Sequence, residues 1–178
     1  AGLRLVSTPG DRLTLAAVGE RADRQLAQRG EVDAELAGWL RHPGDSRPDG
    51  VPSDHTRGAA ASYRAQFVQR DFSVPGTAPA QDRPGADNPV LGVLCTAGDR
   101  QVDWLTAGRA LAEVLLHATM AGASASYLNQ PVEVVALRSQ LRAHLALTGV
   151  PQSVLRPGAG GAVPAPPRPG RAAVPALV

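Results

Sequence analysis

Apolar residues fall into short periodic blocks separated by stretches with no pattern. Leu3, Leu5 and Val6 read as a strand, closed by the turn signal Thr8-Pro9-Gly10. Asp11 suits the cap of a helix on which Leu15, Val18, Ala22 and Leu26 recur at helical spacing. Gly30 interrupts the pattern, and a second helix carries Leu36, Trp39 and Leu40. Periodicity is then lost from 41 to 85, where Pro, Gly, Ser and Asp crowd together, as in Arg47-Pro48-Asp49-Gly50-Val51-Pro52. A segment of that length without periodicity is expected to be disordered or to serve as a lid. Order returns with Val90-Leu91-Gly92-Val93-Leu94-Cys95, an unbroken apolar run that suits a strand buried on both faces.

Asp103 is the expected N-cap of the next helix, whose Trp104, Ala107, Leu111, Val114, Leu115 and Ala118 make the clearest amphipathic stripe. Gly122 is placed to end it. Residues 123–131 read as extended and lead to a helix bearing Leu137, Leu141 and Leu145. Pro151 then starts a strand over 152–155. From Arg156 onward, Pro157, Pro164, Pro166, Pro167 and Pro169 exclude helix and central strand. The order predicts one α+β domain over 1–155, helices packed on a small mixed β-sheet, with an irregular lid segment at 41–85. A Pro/Gly/Arg-rich extended arm follows over 156–178.

With aromatics at only 3%, the core must be built from Leu, Val and Ala. All eighteen basic residues are Arg, and Ile is absent, a skew that fits a high-GC coding sequence better than a functional demand. Where the Arg residues fall is more informative. Residues 1–133 hold all sixteen acids against thirteen Arg, whereas Arg138, Arg142, Arg156, Arg168 and Arg171 follow with no acid among them. An acid-free basic third favours an anion. Nucleic acid is not the expected partner, because the arginines are scattered with no aromatic stacking residue among them. The single Cys95 excludes a disulfide framework and a thiolate metal set, and reads as a buried inert thiol. His42, His55, His117 and His144 lack metal-ligand spacing, so no metal site is expected. A hydrolase has no support without a G-x-S-x-G elbow. Arg109 and Glu113 argue against a bilayer for the longest helical pattern, no signal peptide is visible, and cytoplasm is the expected location.

The stretch from Asn88 to Thr96 continues through Asp103-Trp104-Leu105 and Ala107-Gly108-Arg109-Ala110-Leu111 to Leu128-Asn129-Gln130-Pro131-Val132-Glu133-Val134. Together these residues resemble the second half of Acg-like FMN-binding nitroreductases. Trp39, Asp49-Gly50-Val51-Pro52 and Arg70-Asp71-Phe72 look like further landmarks of that family. The family's P-S-x-x-N-x-Q-P-W strip and its Arg-rich phosphate motif are absent, and R-x-G-Y-G-P is replaced by Arg156-Pro157-Gly158-Ala159-Gly160-Gly161. The resemblance implies a nitroreductase-like sandwich, of which this chain would be half of a pseudo-dimeric domain. A homodimer or a missing N-terminal half would complete it. It also implies FMN as cofactor, NAD(P)H as hydride donor and a small electron-poor acceptor such as a nitroaromatic or quinone. The flavin is the reactant there, so no catalytic side chain is named. Ser126, Tyr127, Leu128, Asn129 and Gln130 would line the flavin ring, and Arg168, or Arg171 if the register slips, would reach its phosphate. An FMN-sequestering protein with little turnover and an inert truncated half-domain are the alternatives. On spacing alone, Asn129 and Gln130 also suit a helix connector that satisfies its own backbone.

Overall fold

A computed structural model describes residues 1–42, 44–47, 49–52, 67, 68, 70 and 89–158, and in it the first turn signal is itself a helix start. Strand β1 spans Gly2–Leu5, and helix α1, Pro9–Leu26, begins on Thr8, whose Oγ1 accepts the Asp11 N–H at 3.1 Å. Asp11 therefore stands in the first turn rather than at the cap, where its charge still favours the helix N-terminus. Helix α2, Gly30–Trp39, buries no residue fully. Part of the segment expected to be irregular is ordered: β2, Leu40–Arg41, pairs in parallel with β3, Val51–Pro52. Gly50 makes that approach possible. Its φ is +86°, and a Cβ there would lie 2.7 Å from the Trp39 carbonyl oxygen. Arg47 ties the turn together, donating to the Gly38 carbonyl at 2.8 Å and the Leu40 carbonyl at 3.1 Å. Of 53–85 only 67, 68 and 70 are described, and the arm from 159 on, with Arg168 and Arg171, lies outside the described residues.

The main sheet is built from β1, β4 (Gly92–Thr96), β5 (Ser124–Tyr127) and β6 (Val150–Gly158), in the order β1-β4-β6-β5. All its pairings are antiparallel, so among the described residues parallel pairing is found only at β2–β3 and the main sheet is not mixed as expected. The hydrophobic pattern specifies which face of a strand is buried, not its direction. Helix α1, the single turn α4 (Gln130–Glu133) and α5 (Val135–His144) cover one face. Leu15, Val18, Ala22 and Leu26 of α1 pack there with Leu137 and Leu141 of α5, with Leu91 just before β4, and with Val93 and Val154 of the sheet. Phe67 joins that core, with the Arg12 guanidinium 5.4 Å from its ring centre. The other face carries α3, Gln101–Met120, which sets Val114 and Ala118 against Gly92, Ala125 and Leu155. Asp103 is in the first turn of α3, accepting the Arg100 N–H at 3.0 Å, so the cap falls three residues earlier than the sequence suggests. At the other end the Gly122 N–H bonds the Thr119 carbonyl and the Ala123 N–H bonds the Ala118 carbonyl, with Gly122 at φ +70°, the left-handed stop expected of it.

Strand β6 runs three residues past Leu155, so Pro157 does not break it and the boundary expected at 155/156 falls inside the strand. Val154 turns its N–H and C=O toward the β5 side, where they meet Asn129 and Leu128. By alternation Pro157 turns its N–H-less nitrogen toward the β4 side, where pairing has already ended at Leu155. Near its start β6 carries one residue too many for its neighbour: Leu94 pairs with Ser153 but Cys95 with Pro151, leaving Gln152 as a bulge. Gln152 uses that freedom to donate to Thr96 Oγ1 at 2.8 Å and Asp99 Oδ1 at 3.2 Å. Arg138 of α5 closes the same cluster, as its Nε donates to the Pro151 carbonyl at 2.7 Å and its two terminal nitrogens grip Asp99 at 2.8 and 2.9 Å. Cys95 is part-buried beside the core, and burial pushes its thiol above the ordinary range.

Candidate functional site

The strip from Ser126 to Gln130 lies at the free edge of the sheet, where β5 ends and α4 begins. Ser126 pairs with Arg156, and the Leu128 N–H bonds the Val154 carbonyl at 2.9 Å. The even-numbered residues therefore turn their backbone inward, and Ala125 and Tyr127 turn theirs off the sheet, where no described residue meets it. Leu128 and Gln130 are buried, whereas the Tyr127 side chain is 46% exposed. Asn129 is committed to the fold at one end: its Oδ1 accepts the Val154 N–H at 2.9 Å and the Ser153 hydroxyl at 3.1 Å. Its Nδ2 has no partner among the described residues. Gln130 donates only weakly, to Asp23 Oδ1 at 3.4 Å and the Val68 carbonyl at 3.5 Å. Replacing Asn129 with Ala strands the buried Val154 N–H, and we expect a loss of about 1–3 kcal/mol in urea denaturation. A loss below ~0.5 kcal/mol would show that the bond contributes little.

Arg156 is the functional candidate that sequence reasoning missed. Its Nε donates to Ser126 Oγ at 3.1 Å, and no carboxylate pairs with it among the described residues. Burial pulls its guanidinium below its ordinary pKa, the mark of a cation partly stripped of water without an anion to compensate. The signal lay in the acid-free basic third, but only strand pairing shows that Arg156 stands opposite Ser126. Arg70, by contrast, is paired: it meets Glu133 of α4. Arg168 and Arg171 belong to the residues outside the description, so their relation to the strip rests on sequence alone. Among the described residues no group of three or more His, Cys, Asp or Glu is placed to hold a metal ion. No helix there is long and apolar enough to cross a membrane.

The cavity touching Gln130 is lined by Leu15, Gly19, Phe67, Val68, Leu128 and Pro131 and holds only about 10 Å³, far below what a tricyclic ring needs. A groove of about 510 Å³ runs past Arg4, Cys95, Thr96, Thr148 and Gly149. It lies at the start of β6, about 20 Å along the strand from Arg156, and touches none of the strip. The described residues thus present one polar wall on a strand edge, with an Arg that has no carboxylate partner, an amide nitrogen without a partner and outward backbone groups among them, and no enclosing slot.

Fold and strip define an α+β protein with helices on both faces of an antiparallel sheet and a polar, cation-bearing edge. Comparison with known proteins gives that description particular relatives. The chain is 30% identical over 156 residues to the "Putative NAD(P)H nitroreductase acg" of Mycobacterium tuberculosis, found in strains CDC 1551 and H37Rv. The match takes in 88% of this chain and 46% of that protein. A second relative from the same organism, "Uncharacterized protein Rv3127", is 32% identical over 120 residues, covering 66% of this chain and 35% of its own length. The chain therefore spans about half the length, or less, of the curated relatives it matches. No protein-family model matches it.

Proposed function

We propose that this chain contributes to an FMN-dependent oxidoreductase of the nitroreductase type, using NAD(P)H to reduce a nitroaromatic- or quinone-like acceptor. The likeness to a protein described as an NAD(P)H nitroreductase supports the reaction class. The observation that carries the cofactor assignment is the juxtaposition of Arg156 with the Ser126–Gln130 strip. When bound, FMN supplies the hydride-accepting and hydride-donating chemistry. The chain's own contribution is to seat it. The Arg156 guanidinium offers charge to an anion or to the electron-rich end of a ring, the Asn129 Nδ2 offers a donor, and the outward N–H of Tyr127 offers another. The arm with Arg168 and Arg171 supplies the phosphate contact in this reading. In this reading the rest of 41–85, beyond the β2–β3 pair and Phe67, serves as the lid.

Titrating the purified chain with FMN and following flavin fluorescence tests this. Saturable quenching is expected, with affinity reduced about tenfold or more in Arg156→Ala. Adding NADPH without oxygen should then bleach the absorbance at about 450 nm. Quenching without bleaching would replace the enzyme with an FMN-sequestering protein. Absence of quenching would remove the flavin altogether.

A further inference from the structure

The groove beside Cys95 holds about 510 Å³, within the range of small-molecule sites and far above the cavity at Gln130. Small residues open it. Gly2 pairs with Cys95 across β1 and β4, and a Cβ at Gly2 would meet no atom within 4 Å. The turn between α5 and β6 fixes the facing wall. Leu147 is anchored in the core, and a Cβ at Gly149 would lie 2.5 Å from the Thr96 carbonyl oxygen, so only glycine lets the turn sit this close to β4. The charge along the groove has one sign. Arg4 lines it, 54% exposed and touching Asp11 only at 3.5 Å, and among the described residues no carboxylate lines it. Arg142 of α5 adds a second cation: burial raises the Cys95 thiol, and the Arg142 charge pulls it part of the way back. Arg142 has no ion-pair partner among the described residues. The carbonyls of Leu141, Arg142 and Ala143, which would repel an anion at the end of α5, are taken by the N–H groups of Leu145, Leu147 and Ala146. Ala97, Ala146 and Leu147 make the lining between the polar groups apolar.

We propose that this groove binds a small aliphatic monocarboxylate, with its carboxylate on the Arg4 guanidinium and its chain along Ala97, Ala146 and Leu147. A guanidinium fork matches a carboxylate with two parallel bonds, and a cleft of one charge sign with apolar walls concentrates the opposite charge. The apolar lining sets the rest of the ligand's chemistry, since a bare inorganic anion would leave it facing water. The inference is independent of the flavin assignment, because the groove lies at the opposite end of β6 from Arg156 and touches none of the strip.

Titrating the full isotope-labelled chain with hexanoate, and following its backbone amide signals by NMR, tests the proposal. The signals of Arg4, Ala97, Thr148 and Gly149 should move along saturable curves that share one Kd, while those of Ser126–Gln130 stay in place. Hexanol has the chain without the charge, and inorganic phosphate the charge without the chain. Each should bind at least about tenfold more weakly than hexanoate. Arg4→Gln should weaken hexanoate binding about fivefold or more. Should that variant lose its fold, Arg142→Gln, at an exposed position of α5, removes the second charge and should weaken binding at least about twofold. Hexanoate shifts that are absent, fail to saturate or spread over the whole surface overturn the proposal. So does hexanol or phosphate that binds as tightly as hexanoate, and so does an affinity unchanged in the charge variant.

Discussion

Truncating Leu141 to alanine is expected to destabilise the protein by about 2–5 kcal/mol, the range for emptying a filled core position. Leu141 is 0% exposed and sits where α5 presses on α1 and the sheet, so the methyl groups removed leave a hole that neighbouring Leu137 and Val18 can fill only in part. The contrast that gives this number meaning is Leu116→Ala on α3. Leu116 is 65% exposed, and the isolated chain should lose no more than ~0.5 kcal/mol there. Urea denaturation of both variants at a concentration low enough to keep the chain monomeric measures the difference. Equal costs at the two sites would mean that the division between the packed and the open helix is wrong.

The second large effect is expected at Arg138. Its guanidinium holds the Pro151 carbonyl, both oxygens of Asp99 and the Gln152 Oε1. It is only 20% exposed, so Arg138→Met keeps the packed stem while removing four charge-assisted bonds at once. We expect a loss of about 2 kcal/mol at neutral pH. The effect carries a pH signature. Bonds from Arg138, Trp104 and Gln152 hold the Asp99 carboxyl at a pKa of about 2, below its ordinary 3.8. A group whose folded pKa is depressed stabilises the fold above its unfolded value and loses that contribution as pH falls through the folded one. Asp99 is 43% exposed, so solvent screens the contribution. Stability should decline between about pH 4 and pH 2 in the wild type more steeply than in Asp99→Asn. Superimposable acid profiles would detach Asp99 from the fold's stability.

Elements that bury one side strongly were legible in the sequence. The α1 and α5 repeats and the β4 run are found where their apolar residues placed them. The two carboxylates expected as caps are displaced by three residues, because Asp at the third helical position answers the same unpaired N–H groups as Asp at the cap. β5 could only be read as extended, since the alternation in Ser-Ala-Ser-Tyr is short and rests on a small Ala and a Tyr that stays 46% exposed, and the strand exists through its backbone pairing with β6. α3 showed its sheet-facing stripe at Ala107, Val114 and Ala118, but Trp104, expected on it, is 52% exposed and donates its indole N–H to Asp99 at 2.7 Å, because an indole can serve a rim carboxylate as well as a core. For the site, the strip was named from resemblance and Arg156 was not, because a cation's lack of a carboxylate partner is a property of three-dimensional neighbours. The α+β class stands, while the polarity of the main sheet needed coordinates.

The surplus residue in β6 has a meaning of its own. Because Leu94 and Ser153 face one way and Cys95 and Pro151 the other, on either side of Gln152, a strand shorter by that residue would still present every side chain to its proper layer. The sheet has no use for position 152. Its beneficiaries are Thr96, Asp99 and Arg138 at the rim, which Gln152 reaches by stepping out of the ladder. What looks like an error of count is an arm extended sideways, and the shape of the loop after β4 is set from the strand beside it.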